Sequence, residues 1–170
     1  FFDASGNAVT LDDTGVTQAI YQAQAVTTPW SQILSGPAAG KREGSGSTST
    51  TNGNWATYAM GSSTDAVAGD ITVSGSGLAV GRDGLYAVTG VVRFAANTSG
   101  RRGVQLTVNN TQQTITQRFL PPASNNTMPV AVSDMLQLSK GDVVRVQGFQ
   151  DAGSLSMTGG GLSLALVATL

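Results

Sequence analysis

Nine Lys and Arg, ten Asp and Glu, and no His or Cys set the chemistry open to this 170-residue chain. The missing types exclude disulfides, thiol nucleophiles, Cys/His zinc sites and histidine general bases together. Asp65, Asp70, Asp83, Asp134, Asp142 and Asp151 all stand beside turn-forming residues. A short carboxylate there bonds nearby backbone, so turn stabilisation is the expected role of each. Calcium would need clustered oxygens at loop spacing, which the sequence lacks, so no metal and no cofactor is assigned. A carboxylate pair working as acid and base stays open as an alternative, a polysaccharide-degrading enzyme. No glycosidase-type motif marks it, and the chain is read as a non-enzyme.

The cations and large aromatics are the other chemically capable groups. Arg101 and Arg102 end a flexible segment that begins near Asn97. They read either as a solvated loop tip or, with Asn97, as a ligand loop for an anionic glycan or a neighbouring subunit, since binding residues concentrate on such loops. Arg93 sits inside a strand between apolar neighbours and reads as an inter-strand or inter-subunit ion-pair partner. Trp30 and Trp55 are of the type that stacks on sugars. A lone Trp more often anchors a core or an arm, and Trp55, at a strand start, is assigned to the core.

The element that positions these groups is a hairpin over residues 81–109. Arg82-Asp83-Gly84 supplies turn chemistry, and residues 85–94 follow without Pro and rich in β-branched and aromatic types. Side chains alternate along a strand, so Tyr86, Val88, Gly90, Val92 and Phe94 share one face, the expected core face. Leu85, Ala87, Thr89, Val91 and Arg93 share the other, which is too apolar for plain exposure and predicts a cover from a second layer or another subunit. Val104, Leu106 and Val108 alternate on the returning strand.

Around this hairpin the composition is poor in charge, 11% with a net charge of −1. That gives no electrostatic reason to expect nucleic acid, and no apolar run is long enough for membrane insertion. No signal-peptide pattern stands at the start, and the opening Phe1 in place of Met suggests a piece of something longer. Residues 1–34 read as an N-terminal arm with a short helix from Thr14 to about Ala25, either a disordered tether left by an excised domain or, the preferred reading, an arm docking on a neighbouring protein through Phe1, Phe2, Trp30, Ile33 and Leu34. Residues 35–54 read as a flexible linker, because 44–54 hold only Gly, Ser, Thr and Asn. From Trp55 onward, short strands recur with turn residues between them. They are expected at 55–60, 71–73, 78–80, 114–120, 128–132, 135–138, 143–149, 155–157 and 162–170, with 61–70 as a turn segment. The pattern predicts an all-β antiparallel sandwich or barrel over 55–170.

Three features in order carry a resemblance. Asp83-Gly84-Leu85-Tyr86 opens a long strand, Leu138-Ser139-Lys140-Gly141-Asp142-Val143-Val144 forms a late hairpin, and Gly161 precedes a last apolar strand. This order resembles the jelly roll of the complement globular head and tumour necrosis factor superfamily. The string from Arg93 to Arg102 looks like versions of that domain in bacteriophage tail and other virion proteins. The short Gly-rich segment 156–161 departs from the animal members. The resemblance implies a homotrimer, with Leu85, Val91, Arg93, Ala165 and Val167 at the interface. It also implies a place on the virion surface after assembly in the host cytoplasm, among other virion proteins. The role implied is that of a minor tail protein, a tail-fibre or tail-tip domain for receptor binding to a host glycan or protein, or that of a capsid decoration protein docked by its arm.

Overall fold

The computed structural model describes residues 38–113, 116–122 and 126–170; the arm, its helix and Phe1, Phe2, Trp30, Ile33 and Leu34 lie outside the described residues. The described residues form twelve strands: β1 (Ala39–Thr51), β2 (Asn54–Thr57), β3 (Ser62–Ala68), β4 (Thr72–Ser74), β5 (Gly77–Ala79), β6 (Gly84–Phe94), β7 (Arg102–Val108), β8 (Thr111–Gln112), β9 (Arg118–Leu120), β10 (Met128–Leu138), β11 (Val143–Gln150) and β12 (Ser154–Thr169). All pair antiparallel, in two sheets. One runs β10-β6-β12-β1-β3. The other runs β4-β5-β11-β7-β8, with β2 also on β11 and β9 also on β7. The strand pattern predicts an antiparallel sandwich or barrel and the resemblance a jelly roll; the structure is an antiparallel jelly-roll sandwich.

The alternation of β6 decides which side is core. Tyr86, Val88, Val92 and Phe94 are at most 1% exposed. They belong to one buried cluster with Val104 and Leu106 of β7, Val144 and Val146 of β11, and Met157, Leu162 and Leu164 of β12. The two sheets therefore close on side chains of alternating parity, as in aligned sandwiches.

Five segments differ from expectation. Residues 39–51, expected in the linker, form β1, a 13-residue strand between β12 and β3. Its composition cannot bury much side-chain area, but a sheet interior satisfies backbone donors and acceptors without help from side chains. The partner strand matches it in smallness: Glu43, Gly44 and Ser45 pair with Gly161, Gly160 and Gly159. Tyr58 closes the contact. Its buried hydroxyl lies 3.2 Å from the Gly44 and Gly46 carbonyls. Its ring lies so close to Gly160 that a Cβ there would stand 2.5 Å from Cδ1, which only glycine tolerates. Residues 62–68, expected in a turn, form edge strand β3. β10 runs unbroken through Ser133-Asp134, and β12 unbroken through its three glycines. At 114–120 the described strand is limited to Arg118–Leu120.

Candidate functional site

The carboxylates are committed to structure. Asp65 meets Arg42 at 3.3 Å, Asp70 meets Arg82 at 2.7 Å and Asp151 meets Arg101 at 2.9 Å. Asp83 accepts the Lys140 N–H, Asp134 the Met135 N–H, and Asp142 the Ser139 N–H. Among the described residues no three Asp or Glu gather as metal ligands would.

The two outward sheet faces carry the candidate surfaces. On the first sheet, register places Met135, Ala87, Ala165, Ala39 and Ala68 in one row across all five strands. Met135 is 47% exposed at the end of this strip of small apolar groups. The next row, Ser133, Thr89, Ser163, Lys41 and Ala66, is mostly polar. Further along, the three glycines of β12 leave a groove of about 610 Å³ between Arg93, Val91 and Thr89 on one side and Lys41, Glu43 and Thr64 on the other. Lys41 and Glu43 pair across its rim at 2.9 Å. The residues expected at a subunit interface all lie on this sheet. Leu85 and Val91 are half-buried, while Arg93 and Ala165 are exposed. Val167, 57% exposed, sits in the register shift between Leu166 and Ala168. Arg93 makes no ion pair with a described residue.

On the second sheet, β2, β7, β9 and β11 build a different surface. Phe119, Gly103, Phe149 and Trp55 occupy one cross-strand row. The three rings touch in a chain of edge and tilted contacts, with centroids 5.3–5.7 Å apart. Gly103 makes this geometry possible, since a Cβ there would lie 2.7 Å from the Phe119 ring. Trp55 is thus half-buried on the outer face and does not join the core, because Ala56, its neighbour of opposite parity, takes the inward position. Two residues along each strand lies a second row: Gln117, Gln105, Gln147 and Thr57. Gln117 Nε2 donates to Gln105 Oε1 at 2.7 Å, Gln105 Nε2 to Gln147 Oε1 at 2.7 Å, and Gln147 Nε2 to Thr57 Oγ1 at 3.2 Å.

The loop from Asn97 to Arg101 borders the aromatic row. Arg101 is exposed and lies over Phe119 and Phe149, 5.4 and 6.0 Å from their centroids. Asp151 accepts from both its backbone N–H and its Nε. Those two bonds, the backbone one foremost, hold the Asp151 carboxyl below its ordinary range. Arg102, expected beside Arg101 as a ligand residue, is 1% exposed and cannot meet a ligand. As the first residue of β7 its side chain points opposite to that of Arg101. There its guanidinium donates to the carbonyls of Arg101 and Ser99 at 3.0 Å, and Asn97 at 3.5 Å. Burial lowers its pKa, with Asp151 opposing. Asn97 is half-buried, and its Oδ1 accepts from the N–H and hydroxyl of Ser99. The sequence reading missed Phe119, Phe149 and the glutamines. One signal was available: with Val144 and Val146 inward on β11, Phe149 has outward parity.

No protein-family model and no curated protein sequence matches the chain. Solved structures do. PRD1 vertex protein P5 superposes with a TM-score of 0.60 at 17% identity, covering 76% of this chain and 96% of that one. Murine APRIL gives 0.58 at 15% identity, with 78% and 100% covered. The globular domain of zebrafish complement 1qA gives 0.56 at 11%, with 78% and 99% covered. The fold is the complement globular head and tumour necrosis factor-like jelly roll.

Proposed function

We propose that the chain is a structural protein of a phage virion, a trimeric jelly-roll module displayed on the particle surface, which binds the host surface as part of a tail fibre or tail tip. The observation that carries the trimer is the row from Met135 through Ala87, Ala165 and Ala39 to Ala68. A row of small apolar groups running across all five strands lets a neighbouring backbone come close and gains little from facing water. Cyclic symmetry lets this face meet a different patch of the next copy and close after three. With few charges in the chain, such an interface is mainly apolar and buries more than roughly 1,000 Å² per pair. One observation favours a second placement: the similar fold of a vertex protein supports a capsid decoration protein. Light scattering on the full chain tests the assembly. Three copies of 17.3 kDa are expected, and a monomer at micromolar concentration rejects the trimer. Gold-labelled antibody on intact particles then separates tail from capsid.

A further inference from the structure

We propose that the outer face of the second sheet is a binding site for a neutral oligosaccharide, with Trp55 and Phe119 as the stacking rings, the buried Phe149 packed between them as their support, and Gln117, Gln147 and Thr57 as the hydroxyl-reading row. The proposal rests on the host-binding reading above and deepens it by naming the site and the ligand class.

The geometry is built, not incidental. Four strands bring three rings into one register row, and a glycine between two of them removes the side chain that would separate them. The row spans three strand spacings, roughly 14 Å. The amide row runs parallel to it, roughly 7 Å away along the strands. A pyranose offers the matching pattern: an apolar C–H face for a ring and, at its rim, hydroxyls that donate and accept. The chain of bonds from Gln117 to Thr57 fixes each amide while using one hydrogen of each. A second N–H on Gln117 and on Gln147, both half-buried, is left to meet a hydroxyl.

Charge decides against an anionic ligand. Arg101 is the cation on the row, and Asp151 already neutralises it through two bonds. Size decides against a protein. A row roughly 14 Å long and one side chain wide covers far less than the ≈800 Å² per partner of a standard interface. Preorganisation favours a small ligand, because Arg102 ties three carbonyls of the bordering loop and Arg101 lies fixed over the two Phe rings.

The test uses the full chain with Trp30→Phe, leaving Trp55 as the sole indole. Malto-, cello-, galacto- and manno-hexaose are titrated separately while tryptophan emission and heat are recorded. A saturable change with at least one of them is expected. Phe119→Ala and Gln117→Ala should weaken it at least tenfold and several-fold respectively, with far-ultraviolet dichroism unchanged. Loss of binding on adding 0.5 M salt, absence of binding to all four at millimolar concentration, or binding indifferent to Phe119→Ala would overturn the proposal. Sedimentation of the same samples keeps the two readings apart. A trimer that binds none of the four loses this site and keeps the assembly; a monomer that binds one keeps the site and loses the trimer.

Discussion

Arg102 shows how a charged side chain serves a loop from within. Its guanidinium supplies donors to three carbonyls through part-buried bonds, and Asp151 secures the outer side of the same loop. Arg102→Ala should therefore cost about 2–3 kcal/mol in urea unfolding, the cost of leaving those carbonyls without donors. Arg102→Lys should recover only part of it, since an ammonium cannot span the fork of acceptors. The pH response belongs to Asp151. Its folded pKa is depressed, so the stability it contributes is present above the ordinary carboxyl value near 4 and is lost as pH falls through the lower folded value. Thermal melts from pH 7 to pH 2 should show a fall below about pH 4 that is smaller in Asp151→Asn. An equal fall in that variant would assign the loss to other carboxylates.

Among the elements, β1 depends on its neighbours more than any other. It has few side chains to bury, so its place is fixed by ladder bonds to β12 and β3 and by one ring. Tyr58→Phe should cost about 1 kcal/mol through the lost hydroxyl bond. Tyr58→Ala should cost about 3–5 kcal/mol and speed amide exchange across residues 39–51 before the rest of the sandwich. Uniform exchange would show that β1 does not hang on this ring. The same element explains what was legible in the sequence. β6 announces itself, because Tyr86, Val88, Val92 and Phe94 alternate with smaller or polar groups and the alternation is the burial. β1 carries no such alternation: Gly, Ser and Thr look alike whether solvated or paired, and only the facing glycines of β12 make the strand sensible. The aromatic row was hidden for a different reason. Trp55, Phe119 and Phe149 lie on three strands distant in sequence, and only cross-strand register joins them.

At the scale of the molecule, the two sheets divide the work. The core between them holds the protomer together, so Phe94→Ala should cost about 3–5 kcal/mol in unfolding experiments whatever the assembly state. The outer face of the first sheet is small and weakly charged where the alanines run, and grooved where the glycines run. The outer face of the second sheet is aromatic and amide-rich. Where the patch that meets the first face lies on an edge of the sandwich, a threefold assembly leaves the second face outward and presents three copies of the aromatic row to the surroundings. Ala165→Arg places a long cation in the middle of the alanine row, on a strand whose inward side chains it does not touch. The expected outcome is a chain that sediments as a monomer, keeps its β-sheet dichroism and still binds any oligosaccharide that the parent binds. Leu85→Ala and Val91→Ala should weaken association with less effect on the protomer than Phe94→Ala. A trimer that survives Ala165→Arg, or a protomer that unfolds with it, would show that subunits meet on some other face.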